Sequence, residues 1–266
     1  MSSTRIHHPL EATPRPFGAI ASIWKRDMLR LLRNQAAMIS SIMIPSIFML
    51  AFYASFARSA EHFMDSYADF ILPSAVTQAI IFTAGGSCLA VAEDKEDGFY
   101  SRLLSMPVPS WSIVAGRLLA DLTRMTWSGA IPLALAFLLG ARFHGGIGAA
   151  ALFLLALALI TVVLSAAIDG LVLITAHPVS TALTFQGLTI AILLLSTAFV
   201  PADALPGHVG TVVAHIPLSP ILDSLRALAA AEPLGSTGVE AAVWLIVLSA
   251  AGFWGFSTAL RRGHVS

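Results

Sequence analysis

The sequence predicts an all-α membrane protein with six transmembrane helices. Three observations point to it. Of the 266 residues, 57% are hydrophobic and only 11% charged, whereas a soluble domain carries roughly 25% charged residues to cover its surface. Apolar runs of about 20 residues recur, the length a helix needs to cross the hydrocarbon core. Lys and Arg also segregate between alternate loops, as they do in multi-pass membrane proteins.

The elements follow in order. Residues 1–16 carry Pro9, Pro14 and Pro16 among charges and read as a flexible tail. One transmembrane domain occupies 17–262. It opens with an amphipathic helix, in which Phe17, Ile20, Trp24, Met28 and Leu31 form one stripe and Arg26, Arg30 and Arg33 lie opposite. Such a helix lies in the membrane interface, its stripe in the headgroup boundary and its arginines toward phosphates or cytosol. Spans are predicted at about 36–57, 70–92, 118–141, 147–174, 179–200 and 238–260. The first is read as a retained helix, because a long amphipathic stretch precedes it where a signal peptide has a short basic region. His177-Pro178 breaks the pattern between the fourth and fifth spans.

With the amino terminus inside, Arg5, Arg15, Lys25, Arg26, Arg30, Arg33, Lys95, Arg102, Arg117, Arg124, Arg261 and Arg262 fall on the inner side. Only Arg58, Arg142 and Arg226 fall outside. This bias places both termini in the cytoplasm and the chain in the cell (plasma or inner) membrane. The net charge of zero leaves no basic footprint for nucleic acid. Cys88 is the lone cysteine, so no internal disulfide forms, and the eight histidines show no metal-ligand spacing. No phosphate-binding loop is present, so the chain does not hydrolyse ATP by that route.

Two segments carry the functional signal. Between the second and third spans, Glu93, Asp94, Glu96 and Asp97 precede Gly98, Arg102, Leu103, Leu104 and Met106. The acids suit the start of a short helix, where the helix dipole favours them. A solvated connector and a helix lying on a partner protein both fit. From Phe199 to Pro233, prolines at 201, 206, 217, 220 and 233 separate apolar pieces too short to span. A re-entrant pair suits their sustained hydrophobicity better than a plain external loop.

Single residues divide the same way. Arg117, Asp121 and Arg124 share a helix face, as a structural ladder at the inner surface or as a transmitter of motion. Asp169 is an ionisable group within a span, read as a satisfied position at the inner end of its helix or as a proton relay. Asp223 and Arg226 are three apart and expected to pair. Phe48, Phe52, Tyr53, Phe56, Phe82, Phe137, Phe185 and Trp254 face lipid, pack, or line a path for an amphipathic substrate.

The run Glu96-Asp97-Gly98, Leu103-Leu104, Pro107 and Gly116-Arg117 resembles the cytoplasmic signature of permease subunits of type-2 ATP-binding-cassette exporters. Phe199-Val200-Pro201, Leu205-Pro206, Pro217-Leu218-Ser219 and Leu225-Arg226-Ala227-Leu228 resemble the same family's outer segment, the daunorubicin-resistance-type permeases above all. The resemblance runs from about 17 to 262. It implies a coupling helix at Glu93–Met106 that docks on a separate ATPase subunit, two copies per complex, and a second permease, identical or similar. ATP and magnesium would sit on that ATPase, with no cofactor on this chain. Asp169, Phe199, Pro201, Pro206 and Arg226 become transport or gating candidates. Ile216 stands where many members have Asn, a difference at the external gate. The implied function is ATP-driven export of a hydrophobic or amphipathic substrate such as a drug, lipid or polyketide. The alternatives are a proton-coupled secondary transporter and a membrane-embedded enzyme; the sequence shows neither the inverted repeat of the first nor the organised catalytic cluster of the second.

Overall fold

The computed structural model describes residues 16–60, 64–106 and 108–263; the predicted tail, save Pro16, lies outside them. The described residues form ten α-helices: α1 (Pro16–Arg33), α2 (Gln35–Ala60), α3 (Tyr67–Glu96), α4 (Phe99–Leu104), α5 (Ser110–Leu138), α6 (Gly146–Ile174), α7 (Pro178–Leu195), α8 (His208–Ala214), α9 (Leu218–Ala230) and α10 (Gly235–Gly263). A 3-10 turn, Ala202–Ala204, precedes α8.

Asn34 is the joint between the interfacial helix and the first span: it ends α1, and its side chain accepts the Ala37 N–H at 3.1 Å to cap α2. Ser66 caps α3 in the same way through the Asp69 N–H. The chain turns at Gly98, whose φ of 68° is the left-handed conformation that favours glycine. Pro178 supplies the first residue of α7, which places the break expected at His177-Pro178.

α3 is the central post, buried along nearly its whole length, with α2, α5, α6 and α7 around it. Thr83 and Ser128 hydrogen-bond across α3 and α5 at 2.7 Å, which satisfies two polar groups inside the bundle. α6 and α10 meet through small residues. A Cβ on Gly255 would lie 2.3 Å from the carbonyl carbon of Gly170, so only glycine permits this approach.

Five helices, α2, α3, α6, α7 and α10, are long and apolar enough to cross a membrane. α5 is as long as α6 and carries Arg117, Asp121 and Arg124, all buried in the protein and not presented to lipid. It supplies the sixth span. α8 and α9 are bent 76° apart and form a re-entrant pair. Both ends of α9 reach the same side of the bundle: Ser219 accepts from the Thr197 N–H just after α7 (3.1 Å), and Ala229 O accepts from the His144 N–H between α5 and α6 (3.0 Å). A span would separate these ends by the bilayer.

Further hydrogen bonds join that face. The Arg142 N–H donates to Asp69 (2.7 Å), and Tyr67 Oη donates to Phe199 O (3.1 Å). Arg58, Arg142 and Arg226 all belong to it. The opposite face carries α1, the end of α3, α4 and the α6–α7 joint, where Lys95 Nζ reaches Thr175 O at 2.5 Å. α5 begins at Ser110, not 118, and α7 stops at Leu195, not 200, because the Thr197 N–H turns to Ser219 instead of continuing the helix.

Candidate coupling site

On the face that carries α1 and α4, eight charges from four helices converge. Asp27 of α1, Asp94 of α3, Asp121 of α5 and Asp169 of α6 are buried, as are Arg117 and Arg124 of α5. Arg26 and Arg30 of α1 close the cluster at its rim, so four aspartates face four arginines. Arg26 grips Asp94 with two nitrogens at 2.8 and 2.6 Å, the bidentate geometry that suits a planar guanidinium. That bond raises the Arg26 pKa above its ordinary value. Arg30 reaches Asp94 at 3.0 Å and also pairs with Glu93. Arg117 stands at the centre: 3.5 Å from Asp27, 3.5 Å from Asp94 and 3.7 Å from Asp169. Arg124 pairs with Asp121 at 3.5 Å.

Two sequence expectations change at this cluster. Glu93, Asp94 and Glu96 do not start a helix; they end α3, where the dipole disfavours acids, and α1 arginines compensate Glu93 and Asp94. The ladder along α5 is only half formed. Arg124 pairs with Asp121, while Arg117 turns to α1, α3 and α6 instead. Asp27 is a member that motif reading passes over, although its place on the Ile20, Ile23, Asp27 stripe marks an acid on the side that packs inward.

The short helix α4 sits directly on this cluster. The Arg26 guanidinium lies 3.8 Å from the Phe99 ring centroid. The Tyr100 hydroxyl is buried beside the cluster, and burial pushes its pKa up. Leu103, 9% exposed, packs against Ile23 of α1 and Ile113 of α5. Leu103 and Asp94 therefore face the protein interior and not an external partner, because the apolar side of α4 is consumed in seating it. The open side of the turn and helix presents Glu96, Asp97, Ser101, Arg102, Ser105 and Met106, with Met106 53% exposed. The Leu104 side chain and Pro107 lie outside the described residues.

The other candidates form a second constellation on the far face. Arg226 of α9 pairs with Asp223 at 2.5 Å, as expected from their spacing. It also donates to Phe70 O, Ser74 Oγ and Thr197 O at 3.1, 3.0 and 2.7 Å, and stacks on the Phe70 ring. One side chain thus locks α9 to α3 and to the segment after α7. Phe199 is buried and stacks on Phe52 of α2 with centroids 3.8 Å apart. Pro201 begins the 3-10 turn, and Pro206 is exposed beyond it. Asp169 is distant from this group; it belongs to the charge cluster.

Residues 18–229 match the ABC-2 type transporter family. The chain belongs to that family. Its similar proteins include the daunorubicin resistance ABC transporter permease protein DrrB1 of Streptomyces coeruleorubidus, 25% identical over 85% of this chain and 82% of that one. The probable doxorubicin resistance ABC transporter permease protein DrrC of Mycobacterium tuberculosis is 25% identical over 82% and 79%. DrrB of the same organism, a doxorubicin resistance ABC transporter permease protein, is 30% identical over 58% of each chain. The ABC-2 match contains the charge cluster, α4 and the re-entrant pair in one segment. The protein is thus a multi-pass permease.

Proposed function

We propose that this permease is the membrane-spanning subunit of an ATP-driven exporter, with α4 as its coupling helix. The observation that carries the proposal is the seating of α4. Phe99, Tyr100 and Leu103 fix it to the charge cluster, while its opposite side is open to a separate ATPase. A push on α4 would reach α1 through Arg26, α3 through Asp94, and α6 through Arg117 and Asp169. ATP bound between two ATPase subunits would supply the differential energy that selects one arrangement of the permease pair over the other.

On this reading both termini and α4 are cytoplasmic, and the re-entrant pair closes the outer end of the path. A second permease, identical or similar, completes the core. The names of the relatives and the apolar, aromatic spans support an amphipathic drug-like substrate. ATP and magnesium bind the partner and not this chain.

Inside-out vesicles containing the chain and its ATPase should accumulate doxorubicin when ATP and magnesium are supplied, and should fail with a non-hydrolysable analogue. Accumulation driven by a proton gradient in the absence of ATP would instead assign the work to secondary transport.

A further inference from the structure

Beside α4 there is room for movement, and two buried groups there lack hydrogen bonds. A cavity of about 470 Å³ lies among α4, the start of α5 and the inner ends of α6 and α10, with Tyr100, Ser101, Arg117, Leu173, Thr175 and Phe256 in its lining. The contacts that seat α4 are on its α1 side, where Arg26 lies over Phe99 and Leu103 packs on Ile23. The short helix therefore has space to shift away from α1, toward α6 and α10.

The Tyr100 hydroxyl is buried and has no hydrogen-bond partner among the described residues. The charged groups near enough to act on it are Arg117, Asp169, Asp94 and Asp27. Only the three acids can accept its proton, and two of them are already engaged. Asp94 is held by Arg26 and Arg30, and Asp27 pairs with Arg26 at 3.3 Å and with Arg117 at 3.5 Å. Asp169 differs. It is fully buried, neither of its carboxylate oxygens accepts a hydrogen bond among the described residues, and the Arg117 Nε stands 3.7 Å away. A buried hydroxyl without an acceptor and a buried carboxylate without a donor are each unfavourable, and one hydrogen bond between them relieves both. Groups left unmet in one packing are what a second packing can satisfy.

We propose that Tyr100 is a positioning residue whose hydroxyl donates to Asp169 in the other arrangement of the permease. α4 shifts into the cavity, the phenol meets the carboxylate, and the coupling helix becomes joined to α6 as well as to α1 and α3. The bond exists in that arrangement alone, so it favours that arrangement by its own free energy. The proposal rests on α4 being the coupling helix, with closure of the ATPase pair supplying the push.

The test is a double-mutant cycle on the permease–ATPase complex in nanodiscs, using Tyr100→Phe, Asp169→Asn and both together. Each complex is melted without nucleotide and again after trapping with ATP, magnesium and orthovanadate. Tyr100→Phe keeps the ring and removes only the unpartnered oxygen. It should retain the ATPase and the nucleotide-free melting temperature, yet lose part of the stabilisation that trapping gives the wild type. Doxorubicin export should slow about tenfold, the size of one hydrogen bond to a charged group. The two substitutions should add without nucleotide and fail to add in the trapped complex, a split that a merely structural role of Tyr100 does not produce. Additivity in both states, a nucleotide-free melting temperature lowered by Tyr100→Phe, or wild-type export by that variant would each overturn the Tyr100–Asp169 bond. The coupling-helix reading fails on a separate result, retention of the ATPase when Arg102 and Met106 are replaced.

Discussion

The guanidinium of Arg26 rests 3.8 Å from the centroid of the Phe99 ring while the same group grips Asp94. One side chain of α1 thereby joins the short helix α4 to the end of the central helix α3. A displacement of α4 cannot leave Arg26 unmoved without breaking either a cation–π contact or a bidentate ion pair. If α4 is the coupling helix, force on it enters the membrane domain at that junction.

Asp94→Asn should therefore be strongly destabilising. It leaves Arg26 and the buried Arg117 short of a counter-charge, and breaking a buried pair from one side costs about 3–5 kcal/mol. The check is the melting temperature of the purified protein in nanodiscs, with Asp97→Asn as an exposed comparison. Equal stability of the two variants would show that the cluster does not hold α1 to α3.

Gly255→Leu should prevent α6 and α10 from packing, because even a Cβ at 255 meets the backbone of Gly170. Gly187 of α7 has open space around it, so Gly187→Ala should leave folding intact. Monodispersity and yield of the two variants after membrane extraction measure the difference. Wild-type behaviour of Gly255→Leu would contradict the close α6–α10 approach.

Arg226→Ala removes the donor that ties α9 to Phe70, Ser74 and Thr197. Export should fall while the ATPase stays bound at the opposite face. Arg226→Lys should restore little, since a single ammonium cannot serve the same diverging acceptors. Full export by the alanine variant would remove this residue from the outer closure.

Membrane topology is tested in intact cells with an impermeant thiol reagent in a Cys88→Ala background. A cysteine at Asp65 should label and one at Asp97 should not. The reverse pattern would invert the assignment of the two faces.

The spans, the interfacial helix and the Asp223–Arg226 pair are legible in the sequence because each depends on local periodicity or on spacing within one helix. The charge cluster is not. Asp94 meets Arg26 across 68 positions of sequence, and no local pattern distinguishes an acid that starts a helix from one that ends it facing another helix. The place of Leu103 is hidden for the same reason. A short helix with leucines needs something to cover them, and the sequence does not say whether Ile23 and Ile113 of the same chain or a partner does so. The acid on the inward stripe of α1, Asp27, is the one readable hint that the interfacial helix carries a buried ion pair.

The most direct measurement is co-purification of the ATPase with a variant of the open side of α4 and the turn that follows it, Arg102→Glu with Met106→Asp. Both side chains are exposed, so the chain should keep its wild-type melting temperature. A few contacts dominate such interfaces, so the amount of ATPase retained should fall about tenfold or more, and ATP-driven export with it. Leu103→Asp should instead lower the stability of the permease itself. Retention of the ATPase at wild-type stoichiometry and activity by the double variant would contradict α4 as the coupling helix.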